Sequence, residues 1–95
     1  MPVQNSEVAA LFQEVADLLA IQGANPFRIR AYRNAAQSVN GLSKPLRELV
    51  DEGQDLSKLP TIGRDLAEKI KEILRTGTLS LLDEVSKETP PELTS

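Results

Sequence analysis

The chain contains neither cysteine nor histidine. Their absence excludes disulfides, thiolate nucleophiles, imidazole acid–base catalysis and the usual zinc ligands. Any catalytic function would have to rest on lysine, tyrosine, serine, threonine or carboxylate side chains. The carboxylate cluster of a nucleotidyl-transfer site is also missing, so we expect no metal-dependent catalysis.

Aromatic residues are scarce, at 3% of the 95 residues. The core must then be built mainly from leucine, isoleucine, valine and alanine, which favours helices over strands. No stretch approaches the roughly 20 apolar residues of a membrane span, and the start of the chain lacks the regions of a signal peptide. We therefore expect a cytoplasmic, monomeric, all-α domain with no membrane partner.

The formal net charge of −3 is unevenly distributed along the chain. Residues 1–27 and residues 76–95 each sum to −3, whereas residues 28–75 sum to +3. Because a local patch decides what can dock, the bulk charge does not exclude an anionic partner. The middle of the chain is the candidate region for binding one.

Apolar spacing predicts four to five short helices. The first covers about 5–23, with Asn5 or Ser6 able to cap it and Gly23 able to end it. The second runs from a cap at Asn25 to about residue 39. Its predicted apolar side consists of Phe27, Ala31, Ala35 and Val39.

Further helices are predicted over about 45–53, 64–77 and 79–85, with one extra turn at 55–58. We expect a single domain over residues 1–90, followed by a polar, frayed tail at 91–95.

The segment 59–63 has turn chemistry and lies between apolar anchors at helix-hairpin-helix spacing. A tight turn there would leave the backbone N–H groups of Ile62, Gly63 and Arg64 pointing outwards at a helix N-terminus. Unpaired donors and the positive end of the helix dipole suit a phosphate oxygen at such a place. Arg64 and Lys58 would add positive charge on either side, and backbone contacts of this kind do not read sequence. An ordinary helix connection that contains a glycine is the alternative.

Three segments together form a recognisable pattern: ANPFRIRAYRNAA at 24–36, LPTIGRDLAEKI at 59–70 and TGTL at 76–79. They resemble the amino-terminal domain of family X DNA polymerases, the bacterial members in particular. The resemblance implies a domain that grips the downstream side of a gap in DNA, with the hairpin amides on phosphates near a 5′ end. It also implies a role in base excision repair and, as partners, polymerase or nuclease domains of a longer chain.

The resemblance implies site residues as well. Carbonyl oxygens of Ser57, Leu59 and Ile62 would hold a monovalent cation, Na⁺ or K⁺, that bridges protein and phosphate; no other cofactor is expected. Tyr32 matches a tyrosine that helps to bind the 5′ phosphate, although a core residue with its hydroxyl at the edge is the alternative. The predicted phosphate-binding residues are Lys58, Thr61, Ile62, Gly63, Arg64, Arg28 and Tyr32. For Arg28, Arg30 and Arg33 a solvated helix face is the alternative.

Lys69 matches the lysine with which animal repair members form a Schiff base and release a 5′-deoxyribose phosphate by β-elimination. Such a lysine must be neutral to attack. Asp65 at i−4 and Glu72 at i+3 are both close enough to pair with Lys69 and to favour its charged form. A solvated ion pair is therefore the alternative to a 5′-deoxyribose phosphate lyase.

The sequence departs from the family pattern at several positions. Asp65 stands where lyase members carry a lysine, and Thr61 stands where the hairpin usually has its first glycine. Phe27 replaces a histidine, while Ser57 and Leu81 replace lysines of the phosphate pocket.

Three functions therefore stay open: a non-sequence-specific DNA-gripping module, the same fold with lyase activity, and a protein-interaction domain without DNA affinity. A salt titration would separate the last from the others, because phosphate binding releases counterions and weakens steeply as salt rises.

Overall fold

The computed structural model describes residues 3–88, which form five α-helices and one short 3₁₀ turn. The elements are α1 (Asn5–Ile21), α2 (Pro26–Asn40), α3 (Leu46–Asp51), the 3₁₀ turn (Leu56–Lys58), α4 (Arg64–Thr76) and α5 (Ser80–Glu88). No strand occurs in this range, and the predicted all-α fold is confirmed. None of the helices within it has the length and apolar character that crossing a bilayer requires. The tail predicted at 91–95 lies outside the described residues.

Glycines in the left-handed region end α1 and α4 where the sequence predicted. Gly23, with φ of 71°, turns the chain so that the Ala24 N–H donates to the Leu19 carbonyl at 3.0 Å. Gly77, with φ of 81°, donates to the Ile73 carbonyl. Glycine adopts this backbone conformation without a steric penalty, which is why it closes helices so often. The last helix extends further than predicted, to Glu88.

The core is a single cluster of apolar side chains. α1 packs against α2 and α5, and the edge of the Phe12 ring meets the Tyr32 ring with centroids 5.8 Å apart. This geometry is favourable for aromatic pairs. The residues that are almost wholly enclosed include Val8, Phe12, Val15, Ala16, Ala35, Val39, Ile70, Ile73 and Leu79. Burial of aliphatic side chains therefore stabilises the fold, as the composition indicated.

The apolar side predicted for α2 is wrong at its amino-terminal end. Phe27 is 78% exposed and Ala31 is also exposed. Steps of four residues advance about 40° around a helix, so a row from residue 27 to residue 39 spirals through about 120°. The residues of α2 that face the core are Tyr32, Ala35, Ala36 and Val39.

The cap predicted for α1 also differs from the structure. The N-cap is Gln4, whose backbone N–H donates to the Glu7 carboxylate at 3.2 Å. Asn5 instead bridges to the start of α3: its amide oxygen accepts from the Leu46 N–H at 2.8 Å, and its amide nitrogen donates to the Lys44 carbonyl at 2.9 Å. A polar residue near a helix start can satisfy a second helix, which sequence position alone does not reveal.

Candidate nucleic-acid interface

The hairpin (residues 59–63) is held by the 3₁₀ turn before it and by α4 after it. The Asp55 carboxylate accepts from the Ser57 hydroxyl at 2.6 Å and from the Ser57 N–H at 3.0 Å. These two hydrogen bonds lower the pKa of the Asp55 carboxyl below its ordinary value, and the bond from the Ser57 side chain has the larger effect. The side chains of Leu56 and Ile62 are buried and fix both ends of the hairpin to the core.

Four consecutive backbone amides at the start of α4 have no partner within residues 3–88. The first bond of the helix runs from the Ala67 N–H to the Gly63 carbonyl, at 2.9 Å, and no side chain caps the helix at Gly63. The N–H groups of residues 63–66 therefore stay unsatisfied inside the described part of the chain. Gly63, Arg64 and Asp65 are exposed residues whereas Leu66 is buried, and we call the amides of the three exposed residues the free amides. They lie at the positive end of the α4 dipole, a position that attracts an anion.

The Ile62 amide differs from the prediction. Its N–H donates to the Leu59 carbonyl at 3.1 Å and closes the turn, so it is not available to a phosphate. The Ile62 side chain, 3% exposed, anchors the hairpin instead. Asp65 supplies the third free amide, one residue further along than the sequence indicated.

Neither the backbone conformation nor the packing inside the described residues requires glycine at position 63. Its backbone is extended, with φ of −88° and ψ of −175°, which any residue adopts. A Cβ atom added there would meet nothing within 4 Å. The missing side chain instead leaves open space beside the Gly63 backbone, as close approach by another molecule requires.

Thr61 is the residue with the strained backbone. With φ of 63° it is the one non-glycine residue of 3–88 in the left-handed region, where a β-branched side chain is unusual. Its hydroxyl donates to the Asn34 carbonyl at 3.2 Å and lies 2.7 Å from the Ser38 hydroxyl, which then acts as the donor of that pair. These bonds tie the hairpin to α2, and the need for a left-handed backbone explains why glycine is usual at this position.

The two cations that flank the hairpin in sequence, Lys58 and Arg64, are both exposed. Neither Lys58 nor Arg64 has an ion pair within 4 Å among the described residues. A phosphate could therefore contact either side chain without breaking an existing ion pair. The phosphate-binding role of both residues stays a prediction.

Two arginines of α2, Arg33 and Arg28, differ in whether they form an ion pair. Arg33 forms an ion pair with Asp17 of α1 at 3.0 Å. Arg28 is exposed and makes no ion pair with any residue of the described range. It precedes Asn34 and Ser38, where the hairpin contacts α2, by about 9 and 15 Å of helix rise. Its phosphate-binding role stays a prediction.

Tyr32 is a core residue, 4% exposed. No side-chain polar atom within 3–88 is buried without a hydrogen-bond partner, and the Tyr32 hydroxyl makes no hydrogen bond there. The hydroxyl must therefore reach solvent at the rim of the core. Its phosphate-binding role stays a prediction that depends on this one atom.

Lys69 is held by Asp65. The Lys69 ammonium lies 2.8 Å from each oxygen of the Asp65 carboxylate, and its side chain is 19% exposed. Glu72 does not join this pair; its carboxylate accepts from the Ser80 N–H at 2.7 Å and anchors the start of α5. That backbone hydrogen bond is the main reason why the pKa of Glu72 is lowered.

The carbonyl groups predicted to hold a monovalent cation lie within six residues of one another. The Leu59 carbonyl already accepts from the Ile62 N–H, whereas those of Ser57 and Ile62 accept no backbone hydrogen bond within 3–88. A carbonyl has two lone pairs, so all three can still offer an oxygen. Oxygen donors of this kind suit a hard cation.

Sequence reasoning missed Asn34 and Ser38, which hold the hairpin from α2. No local pattern relates residues that are 27 and 23 positions apart from Thr61. It also missed Asp55 as the cap of the 3₁₀ turn, although an aspartate two residues before a serine is a recognisable turn signal.

The sequence of the chain matches known proteins. The family model of a helix-hairpin-helix domain matches residues 3–79 of the chain. The DNA polymerase/3′-5′ exonuclease PolX of Bacillus subtilis is 29% identical over 91 residues, which are 96% of this chain and 15% of that protein. DNA polymerase lambda of Rattus norvegicus is 30% identical over 86 residues, which are 90% of this chain and 14% of that protein. The chain thus spans about one-seventh of the length of either relative.

Proposed function

The chain belongs to the helix-hairpin-helix domain family, and we propose that it grips DNA at a gap or nick that carries a 5′ phosphate. Its relatives are family X DNA polymerases, and their names as DNA polymerases support DNA as the ligand of this domain. On this chain the contact is made to backbone phosphates, so it does not depend on base sequence. The same domain would then serve polymerase or nuclease domains in DNA repair.

The row of free amides at Gly63, Arg64 and Asp65 is the observation that carries this proposal. Hydrogen bonds to an ionised oxygen are shorter and stronger than neutral ones. The three donors lie at one helix end without an internal partner, and the Cβ side of Gly63 is open, which supports binding of a phosphate there. Lys58 and Arg64 add Coulomb attraction, and non-specific binding of this kind has dissociation constants of roughly 1–100 µM at physiological salt.

A monovalent cation fits the same proposal. The carbonyls of Ser57, Leu59 and Ile62 would hold it on the hairpin, from where it would neutralise part of the phosphate charge. The fit rests on three oxygen donors in one short segment, and it adds to the amide contacts without replacing them.

We assign Lys69 no lyase role. As nucleophile it would have to give up its two short contacts with Asp65 and become neutral beside a carboxylate. A lysine that forms an i,i+4 pair on a helix surface needs no catalytic explanation.

The experiment is a comparison of Gly63→Asp with Gly63→Asn in binding to a gapped duplex with a 5′ phosphate. Asparagine and aspartate are equally good N-cap residues, so both variants should be at least as stable as the wild type. Aspartate also places a negative charge where the phosphate would sit. We expect Gly63→Asp to lose at least 10-fold in affinity, measured by fluorescence anisotropy, and Gly63→Asn to lose less.

A salt titration of the wild type completes this test. Affinity should fall steeply between about 50 and 200 mM salt if phosphates are bound. Affinity that Gly63→Asp leaves unchanged would contradict the proposal. Binding of DNA too weak to detect, in a protein that is folded, would favour the protein-interaction domain instead.

A further inference from the structure

A second cationic surface runs along α4, away from the free amides. Arg64, Lys71 and Arg75 are separated by seven and four residues, which places them within about 40° of one another on the helix. All three residues are exposed. From Arg64 to Arg75 the helix rises about 16 Å. One stripe therefore begins at the hairpin and follows α4 to its end, and it carries these three cations together with one exposed carboxylate, that of Glu68, about 40° from Arg64.

A cleft opens between the far end of this stripe and α3. It has a volume of about 430 Å³, and its lining residues are Arg47, Val50, Lys71, Leu74 and Arg75. Three of the five are cations and none is a carboxylate. Val50 and Leu74 are the less exposed members, so part of the cleft lining is apolar. We call this concavity the α3–α4 cleft.

The cations of the α3–α4 cleft are largely available to a ligand. Arg75 makes no ion pair within 4 Å among the described residues, although the Glu72 carboxylate is near enough to interact with it electrostatically. Lys71 has one long contact, 3.9 Å to Glu68, with both side chains more than half exposed, and it also interacts electrostatically with Asp55. Exposed pairs of this kind contribute little, so exchanging Glu68 for a phosphate costs little. Arg47 donates to the Leu74 carbonyl and has further N–H groups that this bond does not use.

Helix stability explains part of this arrangement. Arg47 and Arg75 lie near the C-terminus of α4, where cations interact favourably with the dipole. The same reasoning does not explain Lys71, which is in the middle of the helix. Nor does it explain why a cleft with no acidic lining residue joins the stripe that starts at Arg64.

We propose that the α3–α4 cleft is a second binding site for the phosphate backbone of DNA. The proposal rests on the function assigned to the hairpin, because continuity with the hairpin through Arg64 favours nucleic acid over an acidic peptide. One strand of duplex DNA carries a phosphate every 3.4 Å along the axis, so about 16 Å corresponds to roughly five nucleotides. DNA gripped at its 5′ phosphate reaches the cleft only when the duplex beyond that phosphate is long enough.

The test uses the full chain with the double substitution K71Q/R75Q and two gapped DNAs. The downstream duplexes are about 4 and about 16 base pairs long, and both carry a 5′ phosphate. The matched control is K44Q/K87Q, which removes the same charge from two other exposed positions. Thermal midpoints report whether each variant is folded.

With the long duplex, K71Q/R75Q should bind roughly 10-fold or more weakly than the control. The slope of log affinity against log salt should become less steep by about 1.8, the value for two lost phosphate contacts. With the short duplex, K71Q/R75Q and the control should bind alike.

Equal binding of the long duplex by K71Q/R75Q and the control would overturn the cleft as a DNA site. If K71Q/R75Q also lost affinity for a poly-glutamate peptide in that case, the ligand would be an acidic protein segment and the DNA assignment would be wrong. The hairpin is judged separately. Gly63→Asp should weaken both duplexes, and failure of the wild type to bind either DNA would overturn the hairpin proposal as well.

Discussion

Substitutions of Thr61 separate the cost of its backbone from the contribution of its side chain. Thr61→Gly removes the left-handed strain together with the hydroxyl, whereas Thr61→Ala removes the hydroxyl and keeps a Cβ at a φ of 63°. Thr61→Ser keeps the hydroxyl that meets Asn34 and Ser38. The three variants therefore report on strain and tethering independently.

The magnitudes follow from the structure. A left-handed backbone costs a residue with a Cβ about 1–2 kcal/mol. The two hydroxyl contacts are at the surface, so each contributes at the low end of about 0.5–1.5 kcal/mol. Glycine adds roughly 0.5–1 kcal/mol of entropy to the unfolded chain. Thr61→Ala should thus lose about 1–2 kcal/mol, whereas Thr61→Gly should lose at most about 1 kcal/mol.

Urea unfolding and thermal melts give the free energies. One kcal/mol corresponds to about 4–8 °C in the midpoint of a domain of this size. The expected order of stability places the wild type and Thr61→Ser first, Thr61→Gly next and Thr61→Ala last. Alanine as stable as glycine, or more so, would refute a strained left-handed backbone at this position.

Two further predictions concern α4. The pKa of Glu72 is lower in the folded protein than in the unfolded chain, so its ionised carboxylate stabilises the fold at pH values above the ordinary glutamate pKa of about 4.3. This stabilisation is lost as the pH falls through the lowered pKa of the folded state. In Glu72→Gln the thermal midpoint should therefore fall less between about pH 5 and pH 3 than it does in the wild type. Glu84→Gln removes one exposed carboxylate as a control, and it should reduce this fall to a smaller extent. Borohydride should trap no adduct between the wild type and a 5′-deoxyribose phosphate end, and an adduct that disappears in Lys69→Ala would show that Lys69 is a nucleophile after all.

Helix positions were predictable because each has a local cause. Pro26 and Gly23 start and end helices through their own backbone preferences, and the apolar stripe of α4 is short enough for a simple period to hold. The chain matches the family model of a helix-hairpin-helix domain, which confirms the resemblance inferred from its hairpin segment.

The details of the site depend on contacts that a local pattern does not contain. The sequence indicated that Ile62, Gly63 and Arg64 offer their amides, but the turn uses the Ile62 N–H and the free set is shifted by one residue. Which glycine is needed for conformation was also not apparent. Thr61 has the unusual backbone, while Gly63 has an ordinary one with empty space before it.

The face of α2 illustrates the same limit at longer range. The row that begins at Phe27 has helical spacing, yet it rotates out of the core towards its amino-terminal end. Tyr32 and Ala36 are buried instead, and Tyr32 meets Phe12 of α1. The direction of that contact depends on how the two helices cross.

The most direct test follows individual backbone amides by NMR while a 5′-phosphorylated gapped oligonucleotide is added. The N–H signals of Gly63, Arg64 and Asp65 should shift most, whereas that of Ile62, which is bonded within the turn, should shift less. If those three signals stay in place while the signals of another surface move, the hairpin does not hold the phosphate.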